Sequence, residues 1–165
     1  MFGRVFKRLD LWASYTYLQA TFETPLIVSS PNHPDAVDGE IAVAKGAQLP
    51  GIPRHVFKVN AAFDLSGVSV DLTVGRSSSQ FLRGDEANLV APLPGGFVAG
   101  ATARYKINRS FALVAQAANV FNSAYSTFGL LGDATDVLGG AYDDPRFVTP
   151  SSPRSGWVGI ELAFR

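Results

Sequence analysis

An all-β fold is what this sequence predicts, built as a segment of an antiparallel transmembrane β-barrel, and three observations predict it. Apolar and polar residues alternate with period two along most of the chain. The connections between the alternating stretches are short and long by turns, and the aromatic residues of the apolar faces gather at the two ends. Composition agrees. The 165 residues are 47% hydrophobic and 12% aromatic with 16 glycines, and only 17% are charged, against about 25% in a typical soluble domain. No uncharged apolar run reaches the roughly 18 residues a membrane-crossing helix needs. Fourteen basic and fourteen acidic residues cancel, so no net field favours nucleic acid. The absence of cysteine excludes a disulfide scaffold and a thiolate metal site.

The first strand is expected over Leu9 to Phe22, with Leu9, Leu11, Ala13, Tyr15 and Tyr17 on one face and Asp10, Trp12, Ser14 and Thr16 on the other; its pattern blurs after Leu18. His55 to Leu65 is the clearest element. Phe57, Val59, Ala61, Phe63 and Leu65 oppose Val56, Lys58, Asn60, Ala62 and Asp64, and in a strand these sets point to opposite sides. After Ser66-Gly67, Val70, Leu72 and Val74 alternate with Ser69, Asp71, Thr73 and Gly75. From Phe97, Ala99, Ala101, Ala103 and Tyr105 alternate with Gly100, Thr102, Arg104 and Lys106. Beyond the Asn108-Arg109 turn, Phe111, Leu113, Ala115 and Ala117 face away from Ala112, Val114, Gln116 and Ala118. The last strand, Trp157 to Phe164, sets Val158, Ile160, Leu162 and Phe164 against Trp157, Gly159, Glu161 and Ala163. Six strands and no helix are expected.

Turns of a few residues follow the second and fourth strands, whereas long loops follow the first, third and fifth: about Glu23–Arg54, Arg83–Gly95 and Thr127–Ser155. Soluble hairpins use about 2–5 residues, and short turns at one end with long loops at the other mark a membrane barrel. On the apolar faces Phe63, Tyr105, Phe111 and Phe164 fall at the short-turn end, and Tyr15, Tyr17, Phe57 and Phe97 at the long-loop end. Two aromatic belts around an aliphatic band fit two membrane–water interfaces. Six strands cannot close, because an open sheet leaves unpaired edges in hydrocarbon. The chain is therefore expected to be the closing end of a larger barrel. Its start, Met1-Phe2-Gly3-Arg4-Val5-Phe6-Lys7-Arg8, is not followed by the apolar segment of an export signal.

Three stretches carry a family resemblance. Gly46-Ala47-Gln48-Leu49-Pro50-Gly51-Ile52-Pro53-Arg54-His55, running into an alternating strand, resembles the G-x-x-L-P-G-x-P-x-H element of TonB-dependent outer-membrane receptors. Asn119-Val120-Phe121-Asn122-Ser123-Ala124-Tyr125 resembles that family's N-L-F-D-x-x-Y element. Pro153-Arg154-Ser155-Gly156-Trp157 and the strand ending at Phe164 resemble its C-terminus, with Gly159, Leu162 and Phe164 spaced like the signal read by the barrel-assembly machinery; the family ends on the aromatic residue, and here Arg165 follows. The resemblance implies that residues 1–165 are the C-terminal part of a receptor β-barrel domain of 22 strands, without its plug or a signal peptide. It further implies the outer membrane of a Gram-negative bacterium and import of a scarce nutrient such as a ferric siderophore. The implied partners are outer-membrane lipid, TonB acting through the plug, the assembly machinery and the small-molecule ligand.

The residues themselves offer little catalysis. His33 and His55 both lie at loops, no G-x-S-x-G elbow is present, and no enzyme activity, cofactor or metal is expected. Pro50 and Pro53 cannot donate to a sheet ladder and should mark the rim, with His55 a rim residue. Asn119 should mark a bulge or cap backbone groups. Asp133, Asp136, Asp143 and Asp144 lack the ladder of a calcium loop. Arg83-Gly84-Asp85 suits ligand contact or loop bracing equally. Ligand contacts are expected in the long loops, at Arg83, Asp85 and Glu86 in the second and Tyr142, Asp143 and Arg146 in the third, since binding residues concentrate on loops held by a scaffold. Two other readings stay open at this point: a small outer-membrane β protein that closes by oligomerising, and a soluble β-sheet binding module.

Overall fold

The computed structural model describes residues 2–6, 8–140 and 144–164, with 2–6 and 136–137 described by backbone alone. The described residues form eleven strands and one helical turn: β1 (Phe2–Phe6), β2 (Leu9–Tyr17), β3 (Leu26–Ser29), β4 (Glu40–Val43), β5 (His55–Leu65), β6 (Val68–Ser77), β7 (Phe97–Lys106), β8 (Phe111–Ala118), β9 (Ser126–Leu131), α1 (Thr135–Leu138), β10 (Arg146–Pro150) and β11 (Ser155–Leu162). Seven of the strands form one antiparallel sheet in the order β1-β2-β5-β6-β7-β8-β11, while β3-β4 and β9-β10 are separate hairpins inside the long loops. From β2 onward the sheet strands run 8 to 11 residues, close to the roughly 9–11 that cross a bilayer on a tilt.

Four expectations are corrected. The sheet has seven strands rather than six, because Phe2–Phe6 pairs with β2; five residues with little polar–apolar contrast carry no readable alternation. The first predicted strand stops at Tyr17 instead of reaching Phe22. Beyond it the chain turns to its own loop: the Phe22 carbonyl accepts the Gly46 N–H at 2.8 Å and the Ala20 carbonyl accepts the Leu49 N–H at 3.0 Å. The long loops, where no strand or helix is expected, contain the two hairpins and the helical turn. The last strand also lies two residues earlier than expected, at Ser155–Leu162.

Register is what gives the sheet two chemically distinct faces. Leu11, Ala61, Leu72, Ala101, Ala117 and Gly156 are successive partners across six strands. The row toward the short turns runs Leu9, Phe63, Val70, Ala103, Ala115 and Val158. Every predicted apolar set therefore lands on the same side. The opposite side carries rows such as Asp10-Ala62-Asp71-Thr102-Gln116 and Asp64-Ser69-Arg104-Val114. On that side Arg104 reaches over β8 to Glu161 in a two-pronged ion pair, both N–O distances 2.9 Å.

The apolar face has no protein cover. Leu72, Tyr105, Val158, Ile160 and Leu162 are exposed, Val158 by 78%. A continuous apolar face of this kind is what soluble monomers avoid presenting to water. Among the described residues most buried apolar side chains lie in the loops instead: Ile41, Val43, Leu82, Leu93, Leu131 and Ala134, against Ala99 and Ala112 in the sheet. Leu82, Leu93 and Leu131 form one cluster with Val90 packed on it, each leucine contributing about 1.5–3 kcal/mol by burial. The protein's packed core thus sits at the long-loop end, over a sheet whose faces await other partners.

Candidate functional site

The long loops meet at one end of the sheet, and their polar residues hold them there. The second loop pairs with the third through a parallel bridge: the Arg83 N–H donates to the Gly129 carbonyl at 3.0 Å and the Leu131 N–H to the Arg83 carbonyl at 2.8 Å. Next to it Gly84 has φ +91, and a Cβ there would press on Leu131 at 3.2 Å, so glycine suits both the backbone and the packing. The first loop joins through Ser30, whose hydroxyl donates to the Gly84 carbonyl at 2.6 Å.

His33 and Asp85 form the centre of this assembly. Both side chains are fully buried. The imidazole Nδ1 accepts the Asp35 N–H at 3.0 Å, which leaves the proton on Nε2 to donate to Asp85 Oδ1 at 3.1 Å. Asp85 also accepts the Leu89 and Val90 N–H groups at 2.8 and 3.0 Å. A buried carboxylate needs such donors, and this one has three. Asp85 therefore braces the loops, its carboxylate buried and taken up by these three donors. Nothing local in the sequence signals the pairing, since the partners lie 52 residues apart.

A second clasp joins the same loops. Asn88, at φ +60, exchanges two hydrogen bonds with the backbone of Gln48: the Gln48 N–H donates to Oδ1 at 2.6 Å, and Nδ2 donates to the Gln48 carbonyl at 2.9 Å. The buried Gln48 side chain donates in turn to the Ile52 carbonyl at 2.8 Å. The Gly46–His55 stretch is thus a docked rim element. It ends at His55, which lies against Tyr15 and Tyr17, its Nδ1 2.8 Å from the Tyr15 hydroxyl. Asn119 is the matching device of the third loop. At φ +48 and 4% exposed, it donates to the Ser123 and Ser152 carbonyls and accepts the Ser123 N–H, at 2.9 to 3.0 Å. Tyr125 packs so closely on Gly96 that a Cβ there would stand 2.4 Å from the ring.

What remains open to a ligand is a smaller set. Arg83 is exposed, and Glu86 is half-buried with Oε1 accepting the Gly84 N–H at 3.2 Å. Arg146 forms a two-pronged pair with Asp144, both distances 2.8 Å. Hydrogen bonds from the Arg146 side chain and then its backbone N–H hold the Asp144 carboxyl down to about 2. Tyr142 and Asp143 lie outside the described residues. Asp133 and Asp144 line one hollow of about 240 Å³ with Pro31, Asn32 and Pro145. Asp133 is engaged by the Thr135 hydroxyl and N–H, which lower its pKa. Among the described residues no three metal donors come together.

No family model matches the chain, and no curated protein matches it. Solved structures do. The siderophore receptor PiuA from Acinetobacter baumannii superposes with a TM-score of 0.73 at 17% identity, over 98% of this chain and 20% of that one. The ferric-catecholate import receptor Fiu from E. coli K12 gives 0.69 at 19% identity, over 99% and 20%. The copper transporter OprC gives 0.61 at 15% identity, over 99% and 22%. The fold is that of a segment of the siderophore-receptor β-barrel. The chain spans about one fifth of the length of the receptors it matches.

Proposed function

We propose that residues 1–165 are the C-terminal part of the barrel domain of a TonB-dependent receptor in the outer membrane of a Gram-negative bacterium. The receptor imports a scarce nutrient such as a ferric siderophore, drawing on TonB through a plug domain. One observation carries this reading: the register gathers every alternating apolar residue on a single uncovered face, while the loops pack into a crown at one end. The likeness to PiuA and Fiu, named for siderophore and ferric-catecholate import, supports it. The first and last sheet strands, β1 and β11, are the edges that further barrel strands would pair. The outward face meets lipid, and the polar face, with Lys58, Asn60 and Arg104, meets the plug and passing solute.

Within the crown, Arg83, Glu86 and Arg146 are the ligand-contact candidates, with Tyr142 and Asp143 beside them in sequence. Asp85 is not one of them. Point substitutions are the right test, since trimming the second loop would remove the Asp85 brace as well. In the intact receptor, Arg83→Ala, Glu86→Ala and Arg146→Ala should weaken binding of the imported ligand at the cell surface without lowering the amount of folded barrel. Unchanged affinity in all three, with the barrel folded, would assign these loops to covering and bracing.

A further inference from the structure

One row of the outward apolar face departs from its surroundings. Tyr15, Phe57, Arg76 and Phe97 are successive register partners, and the next row toward the short turns is Ala13, Val59, Val74 and Ala99. A guanidinium therefore stands between two phenylalanines, one row above an aliphatic band. Arg76 is exposed and has no ion-pair partner among the described residues. It lines an outward-opening groove of about 490 Å³ with His55, Phe57, Ser79 and Phe97. The His55 imidazole, its Nδ1 2.8 Å from the Tyr15 hydroxyl, stands at the same rim.

We infer that this groove binds the phosphate headgroup of an outer-leaflet amphiphile, whose acyl chains lie down the aliphatic band at Val59, Val74 and Leu72. The inference rests on the membrane-barrel reading above. Arginine pairs with phosphate through parallel N–H donors, and basic residues at a membrane interface recognise anionic headgroups. The aromatic walls sit at the height where ring side chains meet headgroups. An unpaired arginine only reaching for water would need no hollow beside it; a phosphate-bearing lipid uses the cation, the donors and the apolar slope together.

The test uses the intact receptor purified in a neutral detergent, with native mass spectrometry counting retained lipid. Phosphatidic acid should bind at least roughly tenfold more tightly than diacylglycerol with the same chains, as one charge-assisted contact allows. Arg76→Gln should remove that preference, Arg76→Lys should keep part of it, and Lys58→Gln on the opposite face should leave it intact. Equal binding of the two lipids, or a preference untouched by Arg76→Gln, overturns the inference. Displacement of phosphatidic acid by equimolar inorganic phosphate also overturns it, since the site would then take a free anion. A protein that stays monodisperse without detergent would sink the membrane-barrel reading itself, which separates the two failures.

Discussion

His33 Nε2 donates to Asp85 Oδ1 at 3.1 Å with both side chains wholly buried, and this pair fixes the first long loop to the second. Its consequences are energetic. Asp85→Ala would strand the imidazole N–H and the Leu89 and Val90 N–H groups away from water, at about 1–3 kcal/mol for each buried donor left unsatisfied. Hydrogen exchange at Leu89 and Val90 should speed up sharply, with little change in the β5–β6 ladder. Glu86→Ala, one residue on, should leave those two amides protected. Equal protection in Asp85→Ala would mean that the leucine cluster holds the loop without the brace.

The two faces of β5 should respond oppositely to charge. In an intact receptor, Ala61→Arg places a cation on the outward face and should cost about 2–4 kcal/mol near the bilayer midplane. Asn60→Arg turns toward the polar side, where Trp12 and Thr73 are its register partners, and should be far milder. The yield of folded, heat-modifiable barrel checks this. Equal yields for the two variants would overturn the assignment of faces.

Asn119 should tolerate no simple replacement. Asn119→Ala removes three hydrogen bonds, two that fold the Asn119–Tyr125 segment onto Ser123 and one that ties it to Ser152, and leaves a φ of +48 that alanine adopts poorly. A loss of about 2–4 kcal/mol is expected. Asn119→Gly relieves the backbone and not the bonds, so it should recover only part of the loss in denaturant melts.

The Asp144–Arg146 pair sets a pH dependence at the crown. The Asp144 carboxyl lies at about 2 against an ordinary 3.8. A depressed carboxylate contributes stability that is complete above its unfolded value and is lost as pH falls through its folded one. The contact should therefore hold from neutral pH to about 4 and dissolve toward pH 2. The Arg146 Nε–H resonance should shift across that window, and Arg146→Ala should bring Asp144 only part of the way back, since the backbone N–H of residue 146 still donates to it. Both side chains are substantially exposed, so added salt should weaken the pair.

The alternation of β5 through β8, read from residue types alone, determined which positions share a face, because a strand's period is a local property of its backbone. It also set the short turns at Ser66-Gly67 and around Asn108-Arg109, and the place of Tyr15, Phe57 and Phe97 at the long-loop end of the apolar face. Pro50 and Pro53, which cannot donate to a ladder, already marked the rim, and Asn119 was readable as a backbone cap. Only the tertiary structure decided the rest. It showed β1 as a seventh strand, since five residues hold too little contrast to read. It turned the chain after Tyr17 toward residues 46–49 and gave the long loops their hairpins. It made Asp85 a brace for His33, and paired Asn88 with Gln48 across 40 positions. Each of these depends on which distant segment arrives to satisfy a buried polar group. Local sequence lists the donors and acceptors; the packed fold chooses the partners.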